Sequence, residues 1–395
     1  MNTGKTVFAQ IMDFLPLHEL RKCIKNYNGH HKVKSFSCLE QFLTMAFAQL
    51  TFRESLRDIE TCMRAMKIKL YHMGIRSKIS RNTLANANEK RNWRIYADFS
   101  HILIQKAKHL YAKEKFLLQL NQAVYAFDSS IISLALSICP WSKWNDQNTG
   151  GVKLHTLLNL NGAIPAFVKI TSPVVNDFEM LDYITVEPGA FYVMDRGFID
   201  LSRLYAIQQS KGFFIIREKT KIKYKRLYSR PVKKSYGLRC DQTIFFCGRF
   251  SGTDYPEKLR RIRFFDSGNN KYYTFWTNNF LLPSLTIANL YRCRWQIELF
   301  FKWIKQHLKI KKFYGTSENA VKTQIFIAVC VYILIAVVKK QLNLKYDLYS
   351  ILQVFSVSAF ERTPIKDLFS NIIDEIDLES HIQKQQVFAF ENYTL

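Results

Sequence analysis

The sequence holds no C-x-x-C pair. Its 8 cysteines are scattered through 395 residues, which excludes a zinc knuckle and a disulfide framework and suits a reducing cytoplasm. The N-terminal MNTGKTVFAQ has no continuous apolar stretch, so a secretory signal is not expected. Gly4-Lys5-Thr6 lacks the upstream glycine and preceding strand of a phosphate-binding loop, which sets that nucleotide site aside. The one apolar run that invites a membrane reading, Ile325 to Val338, has 14 residues. That is short of the roughly 20 needed to cross a bilayer, so it reads as a buried core helix. Acid is scarce relative to base: 32 Asp+Glu stand against 57 Lys+Arg, leaving a charge of +25 and a pI near 9.7. So one-sided a charge points to a polyanionic partner, and with no spanning segment it favours nucleic acid over a membrane.

What is present supports folded cores. The chain is 48% hydrophobic, and its length implies two or three units. Residues 1–118 read as an all-helical domain carrying 21 Lys+Arg against 9 Asp+Glu. Its helical candidates are Val7–Phe14, Leu39–Leu50, Leu56–Met66, Asn82–Arg91 and Tyr96–Tyr111. Ser80 is a candidate N-cap for a DNA-reading helix that offers Arg81, Asn82, Asn86, Asn88, Lys90 and Arg91. Arginine and asparagine suit bidentate contacts with guanine and adenine edges. Leu56–Met66 would support it in a helix-turn-helix arrangement. A plain basic surface helix fits the same residues.

Near Gln119 the pattern turns to β. QAVYAFDSSIISLAL carries one acid, Asp128, among apolar residues, and AFYVMDRGF ends a short apolar strand in Asp195. Between them, KLHTLLNLNGAIPAFVKIT reads as a hairpin around Asn161-Gly162, a type I′ turn signal. Asn176-Asp177 opens a helix through Phe178–Tyr183, and Ile199–Ser210 is helical. Strands alternating with helices, with acids at strand ends, predict a mixed α/β sheet whose site lies along one edge. From Arg217 to about Asn279 short alternating segments predict antiparallel strands. Residues 217–263 hold 15 Lys+Arg and 4 Asp+Glu, a face suited to a phosphate backbone. Acids cluster in the tail, among them Asp374, Glu375, Asp377 and Glu379.

The stretch Leu290 to Ile310, LYRCRWQIELFFKWIKQHLKI, contains no glycine or proline, and one continuous helix is expected. At about 100° per residue, Tyr291, Arg294, Glu298 and Lys305 fall within an arc of roughly 60°. They would line roughly 21 Å of helix axis. Ile297, Phe301, Ile304 and Leu308 take the adjoining arc, facing a core. On spacing alone this is an amphipathic helix with a solvated charged edge. Asp128, Asp195 and Glu298 change that reading. Aspartate is rarely set in an apolar strand without a partner or a metal, because desolvating an unpaired charge is expensive. Carboxylates are the ligands hard divalent cations prefer, and two such ions about 3.5–4 Å apart can drive phosphoryl transfer.

Together these residues resemble the bacterial DDE transposases of insertion-sequence family four. The signature Tyr, two residues, Arg, three residues, Glu, six residues, Lys is met at Tyr291, Arg294, Glu298 and Lys305 without a spacing error. Asp128 in AFDSS and Asp195 in VMDRGF fit the places of that family's two aspartates, and GVKLHTLLNLNGAIP is similar to its segment after the first. The resemblance covers about residues 119–340. It implies a ribonuclease H-like core in two parts, residues 119–216 and 284–345. A β-rich insertion at 217–283 would interrupt it, the helical domain 1–118 precede it and a helical region 346–395 follow. It implies that Asp128, Asp195 and Glu298 are the catalytic metal ligands for Mg²⁺ or Mn²⁺. Tyr291, Arg294 and Lys305 would contact DNA phosphates. Family members also grip a flipped base with an insertion-domain tryptophan, for which Trp276 is the nearest candidate here, without a site role assigned to it. The activity implied is cut-and-paste transposition in the bacterial cytoplasm, at the nucleoid. A homodimer would bind the terminal inverted repeats, cut with metal-activated water and join the 3′-OH ends to target DNA. The alternatives are a metal-dependent nuclease that does not join strands and an inactive DNA-binding relic.

Overall fold

The computed structural model describes residues 4–370 apart from 113, 115–117, 119, 138, 144–149, 220, 221, 269 and 308–312. Its strands are β1 (Val124–Leu134), β2 (Gly150–Asn159), β3 (Ile164–Thr171), β4 (Phe191–Met194), β5 (Phe213–Arg217), β6 (Tyr224–Arg230), β7 (Leu238–Phe246), β8 (Leu259–Asp266) and β9 (Lys271–Thr277). They form one nine-stranded sheet in the order β3-β2-β1-β4-β5-β9-β8-β7-β6. β1, β4 and β5 run parallel, with Phe127 opposite Met194 and Met194 opposite Ile216. β2 is antiparallel to β3. It is also antiparallel to β1, since Leu160 N–H donates to Val124 O at one end and Gly151 abuts Ile132 O at the other. Two antiparallel strands beside three parallel ones, in the order 3-2-1-4-5, make the ribonuclease H-like core expected from the sequence.

The basic segment after β5 does not form a separate small unit. β9 pairs antiparallel with β5, and β8, β7 and β6 follow, each antiparallel to its neighbour. The open edge of the core thereby gains the ladder partners a bare strand edge lacks. The hairpin between β2 and β3 also departs from expectation. Its connection is residues 160–163 rather than a two-residue type I′ turn, with both Gly162 (φ 94°) and Ala163 (φ 55°) left-handed. Gly162 is needed for space as well, because a Cβ there would lie 2.3 Å from the Tyr111 ring.

Alternation along the strands gives the sheet two faces. One carries Tyr125, Phe127, Tyr192, Met194, Phe214 and Ile216 into a buried cluster with Phe198, Leu204 and Ile207. The Leu201–Gln209 helix packs there, capped at its start by Asp200, whose side chain accepts from Arg203 N–H. The other face is covered by the Ser284–Arg292 helix, which packs on β4 and β5 and buries Ile287, Ala288, Leu290 and Tyr291.

The chain divides into two compact units. Unit two comprises residues 111–132 and 151–301 and holds the sheet. Unit one joins residues 1–110 and 133–150 to everything from Lys302 onward, so it cuts across the boundaries expected from sequence. The reason lies in the Glu318–Leu342 helix, which is apolar on every side, with Ile325 to Val338 all buried. Such a helix needs neighbours all round, and the helices Val7–Met12, Cys38–Leu50, Arg81–Lys90 and Leu348–Ser358 surround it. It is long and apolar enough to cross a membrane, yet 94% of its most apolar window is buried inside the fold. Three helices of this unit start at serines: Ser37 forms a capping box with Glu40 at the start of Cys38–Leu50, and Ser55 and Ser80 cap Leu56–Ala65 and Arg81–Lys90. The tail acids from Asp374 onward and Leu308 lie outside the described residues.

Candidate active site

Two neighbouring parallel strands deliver the first two acids. Asp128 and Asp195 are each the next residue after the register pair Phe127–Met194, so their backbones lie about one strand spacing, roughly 4.8 Å, apart. Phe127 and Met194 turn into the core cluster, and by alternation Asp128 turns to the face that the Ser284–Arg292 helix covers. Asp128 Oδ1 accepts from Ser129 N–H at 2.8 Å, and Asp195 Oδ1 accepts from Arg196 N–H at 2.7 Å. Each carboxylate is thus oriented by the backbone that follows it.

The expected single helix carrying Tyr291 to Lys305 is in fact two. Ser284–Arg292 ends at Cys293, and Trp295–His307 begins two residues later. Between them i→i+3 bonds from Arg294 N–H to Tyr291 O and from Ile297 N–H to Arg294 O tighten the chain. No glycine or proline causes this. The break coincides with Arg294, whose guanidinium reaches back across the sheet. Its Nη1 donates to Asp128 Oδ2 at 2.6 Å and its Nη2 to Glu298 Oε1 at 2.7 Å, while Nε is buried without a hydrogen-bond partner. One cation therefore ties the first acid to the third.

The four signature residues do not share one exposed line. Tyr291 is only 7% exposed, its ring 4.4 Å from Phe275 and 5.7 Å from the Arg294 guanidinium. Burial pushes its hydroxyl up to about 12. Glu298 is exposed, and Lys305 is half-buried two turns further along the second helix. Ile297, Phe301 and Ile304 are buried, as their arc predicts. Asp128 is pushed up to about 6, chiefly by burial, with Asp195 and Glu298 adding to the rise and Arg294 and Ser129 N–H opposing it. Burial opposes the charge on Arg294, but Tyr291, Asp128, Glu298 and Asp195 hold it, so the guanidinium stays charged beyond its ordinary range.

Three carboxylates supply oxygen donors of the kind a hard divalent cation takes. Asp128 and Asp195 fit such an ion by side-by-side placement, and Glu298 joins them through Arg294. Among the described residues no three acids, histidines or cysteines converge closely enough to hold a metal as they stand. Arg294 explains this, since it holds one oxygen of Asp128 and one of Glu298.

The helical region is sorted by burial. Arg81, Asn82 and Asn86 are exposed along one face of the Arg81–Lys90 helix. Asn88 and Arg91 are not available to DNA. Asn88 is buried and accepts from Gln41 Nε2 at 2.8 Å, while Arg91 Nη1 donates to Ser37 O at 2.9 Å. The supporting Leu56–Ala65 helix does pack against Arg81–Lys90, but residues 66–80 separate them, far more than the 3–4 of a helix-turn-helix. Trp276 cannot take up a base as placed. It is fully buried against Phe246, and its Nε1 donates to Glu218 at 3.3 Å.

The chain matches the family described as transposase DDE domain over residues 120–334, more than half its length. The chain belongs to the DDE transposases. Residues 3–76 of this transposase match a domain of unknown function, DUF4372. It is 31% identical over 287 residues to a Sinorhizobium fredii protein named as transposase y4zB, covering 71% of this chain and 78% of that one. It is 30% identical over 234 residues to a Geobacillus stearothermophilus protein named as the transposase of insertion sequence element IS5377, covering 58% and 61%. A Synechocystis protein named as the transposase of IS4SA is 26% identical over 323 residues, covering 79% and 86%. In structure, the piggyBac transposase synaptic complex with hairpin DNA shares 10% identity at a TM-score of 0.44, over 95% of this chain and 82% of that one. DDE transposases work with divalent metal ions on DNA, and this chain is a DNA transposase.

Asp177, read from the sequence only as a helix opener, and Lys153 and His155 lie together behind Ser129, the residue after Asp128. The signal was present: Lys153 and His155 place ionisable groups in a strand that the fold buries along almost its whole length.

Proposed function

We propose that this transposase performs cut-and-paste transposition of an insertion sequence. It hydrolyses a phosphodiester at each end and then directs the freed 3′-OH at target DNA. What supports the reading is that Arg294 joins Asp128 and Glu298, acids from distant parts of the chain, beside Asp195 on the next parallel strand. Asp128, Asp195 and Glu298 would hold the divalent ion, Mg²⁺ or Mn²⁺, which supplies activation of the attacking oxygen and stabilisation of the leaving one. Arg294 holds Asp128 and Glu298 together in the metal-free site and would be free to contact a phosphate if those acids were committed to a divalent ion. Tyr291 backs Arg294 from the core side, and Lys305 offers a second cation further along its helix. Arg81, Asn82 and Asn86 present the donors for base edges in the terminal inverted repeats, and the basic strands β6 to β9 lie along the backbone. A homodimer pairs two ends, and the site of action is the bacterial cytoplasm at the nucleoid.

Asp128→Asn tests the centre of this. Cleavage of end-bearing DNA with Mg²⁺ or Mn²⁺ should fall at least a thousandfold while end binding in a mobility-shift assay stays within about twofold. Residual cleavage near the wild-type rate would remove Asp128 from the metal site. Supplying precut ends with target DNA separates the transposase from a plain nuclease, because only the transposase yields joined product.

A further inference from the structure

The last register pair between β1 and β4 is Phe127–Met194. The acids stand just beyond it, where no ladder bond joins their two strands. Asp195 in particular caps a short turn, Arg196–Phe198, which packs on the sheet through Phe198 against Phe127 but has no ladder bond to β1. Two carboxylates that must share a cation need a polar tie in addition to that packing.

The opposite face of the sheet provides it. Ser129 alternates to the face away from Asp128, and its Oγ donates to Asp177 Oδ1 at 2.6 Å. Asp177 opens a 3-10 helix, Asp177–Tyr183, that packs on the Arg196–Phe198 turn. Its Oδ2 lies so near Gly197 that a Cβ there would come within 3.2 Å. One carboxylate therefore accepts from the residue after Asp128 through Oδ1 and lies close against the turn after Asp195 through Oδ2. Its charge is balanced by Lys153 on β2, with His155 beside it. Lys153 Nζ is 3.4 Å from Asp177 Oδ1 and donates to Val175 O at 2.7 Å. His155, fully buried, places Nδ1 3.6 Å from the same oxygen, and its Nε2 pairs with Thr171 Oγ1 at 2.8 Å. These contacts occupy Asp177 in a framework, which distinguishes it from a further metal ligand.

We infer that Asp177 is a positioning residue that straps the strand end bearing Asp128 to the turn bearing Asp195, setting the spacing of the acid pair. The inference rests on the proposed metal site. Groups that orient metal ligands from behind typically change metal affinity 10–100-fold when removed, and Asp177 acts on both acids.

The test is Mn²⁺ binding to the full chain without DNA, followed by electron paramagnetic resonance, with folding checked by circular dichroism and urea unfolding. Asp177→Asn should weaken Mn²⁺ binding about tenfold in a folded protein, and Ser129→Ala, which removes one hydroxyl, by a smaller factor. Asp128→Asn should abolish it in the same assay. If Asp177→Asn does not fold, Ser129→Ala carries the test alone. Unchanged Mn²⁺ affinity in the folded variants, with binding lost in Asp128→Asn, would overturn the strap and leave the metal site standing. Binding that survives Asp128→Asn would overturn both.

Discussion

Asp128 and His155 sit on neighbouring strands and titrate in opposite senses. Burial is the main cause of both shifts: it raises Asp128 from 3.8 to about 6 and lowers His155 from 6.5 to about 4. Folded Asp128 therefore binds a proton that the unfolded chain has released, so its contribution to stability falls as pH rises from about 4 to 6. Folded His155 refuses a proton the unfolded chain accepts, so its contribution falls as pH drops from 6.5 to about 4. Each is worth about 3 kcal/mol at most, and over the shared window they cancel. Urea unfolding across pH 4–6.5 should expose each in turn. Relative to wild type, Asp128→Asn should gain stability with rising pH, and His155→Gln should lose it. Parallel curves for all three proteins would mean that neither group is buried as described. Asp128, Asp195 and Glu298 stand out in the sequence as candidates because acids are conspicuous in apolar strands and in a spaced signature. Asp177 was not, since an Asn-Asp pair opening a helix reads as a cap wherever it occurs.

At the scale of elements, periodicity located most helices to within a few residues, because serine caps and apolar stripes are local features. It failed at the signature helix. Nothing in the residues 290–310 signals a break, and the break falls at Arg294, which reaches an acid 166 positions away. Strand β6 shows the complementary case, in which local composition and tertiary placement agree. It is the exposed outer edge of the sheet, and Lys225, Arg226, Leu227, Tyr228 and Ser229 face solvent. Exposed cations on an edge strand discourage pairing with other chains and suit a phosphate backbone. If β6 follows DNA, replacing Lys225 and Arg226 together by alanine should reduce the slope of log affinity against log salt by about 1.8. An unchanged slope would take β6 out of the interface.

For the whole molecule, the helix Glu318–Leu342 decides how unit one is built. Ile333, fully buried within it, is a direct probe: Ile333→Ala should cost about 2–5 kcal/mol in urea unfolding. A cost below about 1 kcal/mol would show that its neighbours do not enclose it. The surplus of 57 Lys+Arg over 32 Asp+Glu gives the molecule a long-range attraction for DNA that salt screens.

The sequence by itself determined the transposase family, the ribonuclease H-like core and the basic character, because alternation, spacing and net charge are all written along the chain. Only the tertiary structure decided that the insertion strands extend the core sheet, that the signature helix is broken, and that Tyr291 is buried while Arg294 joins Asp128 to Glu298. It alone placed Asp177 behind the acid pair. Each of these depends on which distant residue meets a given side chain, and the free energy of burying or pairing a charge is set by that meeting rather than by the residue's neighbours in sequence.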